Sequence, residues 1–258
     1  MSIAVHALAE GPEDAPAVVL SGSLGSDLRM WEPQAAALVA AGFRVLRYDH
    51  RGHGRSPVPA GRYSMAELAG DLLALLDRHG IERAHVAGLS LGGMVGMWLG
   101  VHAPHRLHTL ALCCTSADLG GRGIYGPRAA HVRANGTASI AEAVVDRWFT
   151  PGWRDAHPDA AADYVAMVAD TPDEGYAGCC EAIESFDITT QLAAISTPTV
   201  VVAGTDDAAT PPTHAHLIAE AIGHARLVTV GPAAHLANVE QPERVSAVII
   251  EHVAAPVR

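Results

Sequence analysis

His85-Val86-Ala87-Gly88-Leu89-Ser90-Leu91-Gly92-Gly93 is the stretch that decides the fold. A short apolar strand pattern runs into a serine flanked by glycines, and an apolar helix pattern follows from Leu91 to His102. A Gly-x-Ser-x-Gly turn between strand and helix forms a nucleophile elbow, which holds its serine in a strained backbone conformation. Glycines at 88 and 92 remove the side chains that would clash where the chain crosses itself. The amide of Leu91, in the first turn of the helix, is placed to stabilise an oxyanion. The bare five-residue pattern arises by chance on the order of one time in ten in a chain of this size. The strand before it and the helix after it distinguish the motif from coincidence.

Outward from the elbow, the 258 residues alternate strand and helix patterns. Strands are expected at Ala17 to Leu20, Phe43 to Tyr48, Ala84 to Ala87, Thr109 to Leu112, Thr199 to Ala203 and Arg226 to Val230, each a short Val/Leu-rich run. Helices are expected at Trp31 to Ala41, Met65 to His79, Leu91 to His102, Thr213 to Ile222 and Pro242 to Val253. Ser64 and Glu67 have the spacing of a capping box for the second of these. Such alternation predicts an α/β fold with a mostly parallel sheet covered by helices on both faces. It breaks from about Gly120 to Ala194, where Pro127, Pro151, Pro158 and Pro172 punctuate short amphipathic patterns such as Ile140 to Phe149 and Ala160 to Ala169. The division expected is a core of residues 1–119 and 195–258 with a helical cap insertion at 120–194.

Composition narrows the partners. Lys and Arg number 17 against 28 Asp and Glu, a formal charge of −11 with no basic stripe, which argues against nucleic acid. No segment approaches the roughly 20 apolar residues of a membrane span. Met1 to Leu20 lacks a basic start and is interrupted by Glu10, Pro12, Glu13 and Asp14, so it does not read as a signal peptide. The four cysteines form two adjacent pairs, Cys113-Cys114 and Cys179-Cys180, which read as small core fillers in a reducing cytoplasm. The 15 histidines contain no metal pair with a glutamate on a helix, so no metal site is expected.

Serine is a weak nucleophile without a positioned base, itself oriented by a carboxylate. In the hydrolase form of this elbow the acid precedes the histidine in the chain. Thr199 to Ala203 is followed by Gly204-Thr205-Asp206-Asp207-Ala208-Ala209-Thr210-Pro211, where two aspartates compete. Asp207 is favoured by the Gly-x-x-Asp-x-x-x-Pro spacing, Asp206 reads as a turn residue, and Asp118 is a weaker candidate. His235 stands on the loop after the final strand, whereas His214, His216, His224 and His252 fall on helices or their ends. A second oxyanion donor is expected from the backbone of Ser21-Gly22-Ser23-Leu24-Gly25, at the amide of Leu24. The run Asp49-His50-Arg51-Gly52-His53-Gly54-Arg55-Ser56 reads as a loop-knitting element with no part in the chemistry.

These motifs resemble the α/β-hydrolase superfamily over essentially the whole chain: Asp49-x-Arg51-Gly52-x-Gly54-x-Ser56, Gly88-Leu89-Ser90-Leu91-Gly92, Gly204-x-x-Asp207 and His235. Where many relatives carry His-Gly, this chain has Gly22-Ser23. Ser23 to Trp31, Gly204 to Pro212 and Ala233 to Glu240 look like the 3-oxoadipate enol-lactonases. That resemblance implies hydrolysis of an enol-lactone late in the β-ketoadipate route of aromatic breakdown, with Ser90 as nucleophile, His235 as base, Asp207 as its partner and no cofactor. The implied partner is a small lactone bearing a carboxylate, which a cation of the insertion should meet. Arg122, Arg128, Arg133, Arg147 and Arg154 are available. Arg133, alone near the end of a small apolar segment, is the expected one, and Trp148 is expected to wall the pocket. Rival readings are another serine carboxylesterase, a carbon–carbon bond hydrolase or a perhydrolase of the same fold, and a ligand-binding member without turnover. A dehalogenase would want aspartate where Ser90 stands.

Overall fold

Seven strands make one sheet in the order β1-β3-β2-β4-β5-β6-β7. They are β1 (Ala7–Glu10), β2 (Ala17–Ser21), β3 (Arg44–Tyr48), β4 (Ala84–Leu89), β5 (Leu107–Cys113), β6 (Thr199–Gly204) and β7 (Arg226–Val230). All neighbours pair in parallel except β1, which lies antiparallel to β3 from Ala7 opposite Tyr48 to Glu10 opposite Val45. The computed structural model describes residues 1–119 and 123–255.

The helices are α1 (Glu32–Ala40), α2 (Met65–Arg78), α3 (Leu91–His102), α4 (Tyr125–Asn135), α5 (Ala141–Trp148), α6 (Pro151–Ala156), α7 (Pro158–Ala169), α8 (Asp173–Glu184), α9 (Pro212–Ile222), α10 (Ala237–Glu240) and α11 (Pro242–Ala254). Successive strand residues point to opposite faces, and here they feed two cores. Val19, Val86, Leu110 and Val201 pack with Leu68, Leu72 and Leu75 of α2, Val95 of α3 and Ile218 of α9. Val18, Leu20, Ala87 and Val202 pack with Leu38 of α1 and Val245 and Ile249 of α11. Helix α2 begins on the expected capping box: Ser64 Oγ accepts from Glu67 N, and Glu67 Oε2 accepts from Ser64 N at 3.1 Å. No helix among the described residues is long and apolar enough to cross a membrane.

The sequence pattern missed β1. It is four residues long, half-buried at its ends and exposed at Leu8 and Ala9, without a Val/Leu run, and it is secured from its flank: His6 O accepts from Asp49 N and His6 N donates to Ser56 Oγ. Between β5 and β6, the described residues form α4 to α8 and the 3₁₀ turns Thr137–Ile140 and Thr189–Ala194. Pro151 and Pro158 open α6 and α7, where a missing N–H costs nothing. Helices α4 and α8, packed on each other, were not individually legible. Small and charged residues give α4 no clean apolar period, and α8 is buried nearly all round from Gly175 to Ile183, so it shows no single apolar stripe. The four cysteines are all free and buried.

Candidate active site

Ser90 stands between β4 and α3 with φ 56° and ψ −112°, a conformation L-residues rarely adopt. Three contacts hold it there. Ser90 N donates to Cys113 O at 2.9 Å, Ser90 O accepts from Thr115 Oγ1 at 2.7 Å, and Gly92 N donates to Gly22 O at 2.9 Å. A Cβ on Gly92 would collide with the carbonyl of Ser21, and one on Gly88 with the carbonyl of Gly92. Strand β2, strand β4 and the start of α3 therefore meet only because neither position carries a side chain.

His235 is buried on the loop after β7, and its Nδ1 lies 2.8 Å from Asp207 Oδ2 on the loop after β6. The Asp207 carboxylate also accepts from Ala209 N at 2.8 Å, Thr210 N at 2.9 Å and Thr210 Oγ1 at 2.7 Å. Burial alone would raise its pKa, but the facing imidazole and these donors outweigh it and hold the carboxyl below its ordinary range. An ionised carboxylate only accepts, so the proton of the shared bond sits on Nδ1 and leaves Nε2 a lone pair. The two loops approach closely because residue 204 is glycine; a Cβ there would run into the carbonyls of Ala233 and Ala234. Asp206 is exposed and turned away, accepting from Thr205 Oγ1 at 2.7 Å and Ala233 N at 3.3 Å. Asp118 lies in an isolated bridge with Asp187.

The loop after β2 leaves one amide over. Ser23 N donates to Ser26 Oγ at 3.0 Å and Gly25 N to His53 Nε2 at 2.9 Å, while Leu24 N between them has no partner among the described residues. The same holds for Leu91 N at the start of α3. The loop is braced from below. His50 Nε2 lies 3.1 Å from Gly22 O, Asp49 Oδ1 accepts from Leu28 N, and Asp49 Oδ2 accepts from Arg55 N. Buried Arg51 meets buried Asp71 through Nε and Nη2 at 2.6 and 2.8 Å. The Asp49 to Ser56 run thus ties the loop region together through its side chains.

Ser90, His235, Ser23 and Leu24 line a narrow cavity roofed by α4, α5 and α8. Ser90 and His235 share no hydrogen bond among the described residues; nucleophile-to-base bonds commonly tighten only around substrate. The roof contributes Tyr125 and Arg128 from α4, Val144, Arg147 and Trp148 from α5, and Tyr176 from α8. Trp148 stands where it was expected, and its carbonyl accepts from Leu236 N at 2.9 Å, next to His235.

Arg133 corrects the sequence expectation. It lies outside this cavity, its guanidinium bound to Glu174 through Nε at 2.8 Å and Nη2 at 3.1 Å, and to Glu181 through Nη1 at 2.8 Å and Nη2 at 3.0 Å. Those carboxylates hold its pKa above the usual range for arginine. Five residues along a helix turn a side chain by roughly 140°, so Arg128 and Arg133 cannot share a face of α4. Arg154 pairs with Asp146, and Arg122 lies outside the described residues. The spacings that mark the roof were present in the sequence: Tyr125 with Arg128, and Val144 with Arg147 and Trp148, are i, i+3 and i, i+3, i+4 sets. Glu174 and Glu181, two helical turns apart, are the matching signal that Arg133 is already engaged.

Residues 16–242 match the family model of the alpha/beta hydrolase fold. The chain is 38% identical to 3-oxoadipate enol-lactonase 2 of Acinetobacter baylyi over 93% of this chain and 90% of that protein. The crystal structure of the enol-lactonase from Burkholderia xenovorans LB400 superimposes with a TM-score of 0.94 at 39% identity, over 96% of both chains. A thermophilic esterase from Thermogutta terrifontis, solved with malate bound, superimposes with a TM-score of 0.92 at 30% identity, over 98% of this chain and 94% of that one.

Proposed function

The chain belongs to the α/β-hydrolase family, and we propose that it opens 3-oxoadipate enol-lactone to 3-oxoadipate through an acyl-enzyme on Ser90. Similarity to two enol-lactonases supports a hydrolase of lactone ester bonds. The observation that carries the mechanism is that one small cavity holds Ser90 at the elbow and His235, whose Nδ1 is bonded to Asp207.

Ser90 Oγ attacks the lactone carbonyl while His235 Nε2 takes its proton, and Asp207 stabilises the imidazolium. The amides of Leu24 and Leu91 receive the developing oxyanion. Collapse of the tetrahedral intermediate breaks the ring C–O bond, and the proton on Nε2 goes to the enol oxygen, which tautomerises to a ketone. An enol is a better leaving group than an alcohol, so this step asks little of acid catalysis. Water then gives a proton to His235 and attacks the acyl carbonyl, and Ser90 Oγ leaves with that proton. On this reading residues 1–119 and 195–258 are the core, 120–194 the cap, and the free cysteines fit a cytoplasmic location.

Wild type and Ser90→Ala assayed on enol-lactone and on p-nitrophenyl esters test the proposal. Fast lactone opening that Ser90→Ala abolishes is the expected result. Fast turnover of simple esters with negligible lactone opening would replace it by an esterase reading, and tight binding without turnover by a receptor.

A further inference from the structure

We propose that the hydroxyl of Ser23 is a third oxyanion donor, converging with the amides of Leu24 and Leu91 on the carbonyl oxygen of the bound ester. The inference rests on the serine-hydrolase reading above and adds a catalytic side chain to it.

Ser23 lies on the loop after β2 and lines the cavity with Ser90 and His235, although it is 1% exposed. Its backbone is spent elsewhere. Ser23 N donates to Ser26 Oγ at 3.0 Å, and Ser23 O accepts from Ser26 N at 3.2 Å and from Ser26 Oγ at 2.8 Å. The Ser23 hydroxyl has no hydrogen-bond partner among the described residues. Among those residues the buried side-chain polar atoms sealed off without a partner are Trp31 Nε1, His50 Nδ1 and Asn238 Oδ1. Ser23 Oγ is not one of them, so it borders open space, and the space that Ser23 lines is the cavity beside Ser90.

Covalent geometry sets this hydroxyl next to the uncommitted Leu24 amide. The Cα of Ser23 carries both the hydroxymethyl group and the carbonyl carbon to which Leu24 N is attached. Leu91 N comes from the start of α3, which the bond from Gly92 N to Gly22 O at 2.9 Å fastens to the same loop. Gly22 O also meets His50 Nε2 at 3.1 Å, so the peptide leading into Ser23 is pinned from two sides. Where many relatives carry His-Gly, this chain has Gly22-Ser23, and a hydroxyl stands where those relatives have no side chain.

A neutral hydroxyl suits the task. It needs no counter-ion before reaction, and its hydrogen bond strengthens as the carbonyl oxygen gains negative charge, so it favours the tetrahedral intermediate over the bound ester. Acylation and deacylation both pass through that oxyanion, and Ser23 keeps its proton throughout.

The test assays wild type, Ser23→Ala and Ser23→Cys on the enol-lactone, on p-nitrophenyl acetate and on its thiono counterpart, in which C=S replaces C=O. Phenylboronic acid, which becomes tetrahedral on Ser90, serves as inhibitor. Ser23→Ala should keep the wild-type melting temperature, because it removes no hydrogen bond of the folded chain. Its kcat on the lactone and the oxygen ester should fall about 100-fold with KM little changed, as loss of one oxyanion donor does. The inhibition constant of phenylboronic acid should rise in parallel. Sulfur accepts hydrogen bonds poorly, so the wild-type preference for the oxygen ester over the thiono ester should shrink about tenfold in Ser23→Ala. Cysteine fills the same space with a weak donor and should stay nearly as impaired as alanine. A kcat within about threefold of wild type in Ser23→Ala, an unchanged oxygen-to-sulfur preference, a loss confined to KM, or full recovery by cysteine each overturns the third donor. If Ser90→Ala abolishes turnover while Ser23→Ala does not impair it, the hydrolase reading stands and the Ser23 role alone falls; turnover that survives in Ser90→Ala overturns both.

Discussion

His235 Nδ1 and Asp207 Oδ2 lie 2.8 Å apart, joining two loops separated by 28 residues of sequence. Asp207 Oδ1 is already committed to the amides of Ala209 and Thr210. In Asp207→Asn the side-chain oxygen keeps those amides, and the NH₂ turns to His235. That forces the imidazole proton onto Nε2, where it blocks acceptance of the serine proton. Activity should fall by up to about 10⁴-fold, whereas Asp206→Asn should stay within about tenfold of wild type. Steady-state rates of the two variants decide, and the reverse ranking would move the acid to Asp206.

Gly92→Ala should unseat the elbow, because its Cβ meets the backbone carbonyl of Ser21 and backbone cannot rotate away. We expect activity to drop more than about 100-fold, as a misplacement near 1 Å does, with a lower melting temperature. Gly70→Ala, in the middle of α2 with nothing within 4 Å of the added carbon, should instead stabilise by about 0.5–1 kcal/mol. Thermal melts and ester turnover of the two variants give the comparison.

Glu240 links the His235 loop to the roof. Its Oε1 accepts from Ala234 N at 2.8 Å and Thr150 N at 3.1 Å, and its Oε2 accepts from Thr150 Oγ1 at 2.7 Å. Glu240→Ala leaves those donors unmet and should cost about 2–3 kcal/mol of stability in urea unfolding. Because Ala234 precedes His235, kcat should fall while KM stays within a few-fold, and Glu240→Gln should recover part of both losses. Unchanged kcat would confine Glu240 to stability.

Acid should destabilise the fold through histidines buried in neutral form. Burial, with the charge of His53 adding to it, lowers the His50 pKa to about 3 against the bond to Gly22; burial, His108 and His252 lower that of His85 to about 4. Unfolded, both titrate near 6.5. Below that pH the unfolded chain takes up protons that the native state refuses, so stability is complete above about pH 6.5 and is lost as pH falls toward the native values. Each histidine contributes a slope of about 1.4 kcal/mol per pH unit. His50→Gln keeps a donor for Gly22 and cannot titrate. Its urea midpoint should vary less between pH 7.5 and 4.5 than that of the wild type, and an equal slope would exclude His50 as a contributor.

Much of this molecule was legible one segment at a time. Six of the seven strands and the helices flanking the sheet follow from apolar period and capping, since each buries a face against a sheet whose alternation fixes inside from outside. The elbow was legible for a related reason. Its strain is local, and Gly88 and Gly92 are demanded by chain crossings within and beside the motif. Strand β1 escaped because its hold on the sheet is a set of backbone pairings with β3 and contacts from His6, which leave no apolar pattern.

The charges of the roof were settled only in three dimensions. The sequence offered five arginines between residues 120 and 194, and the isolation of Arg133 in a small apolar segment picked the wrong one. Arg133 is taken by Glu174 and Glu181, more than forty positions away, while Arg128, on another face of the same helix, enters the cavity with Arg147. The spacing from Gly204 favoured Asp207 over Asp206, but it is the turn of the loop after β6 that aims Asp207 at His235 and Asp206 at Ala233. A periodic pattern records which face of an element is buried; it does not record which distant side chain waits there, because that is fixed by how the elements pack.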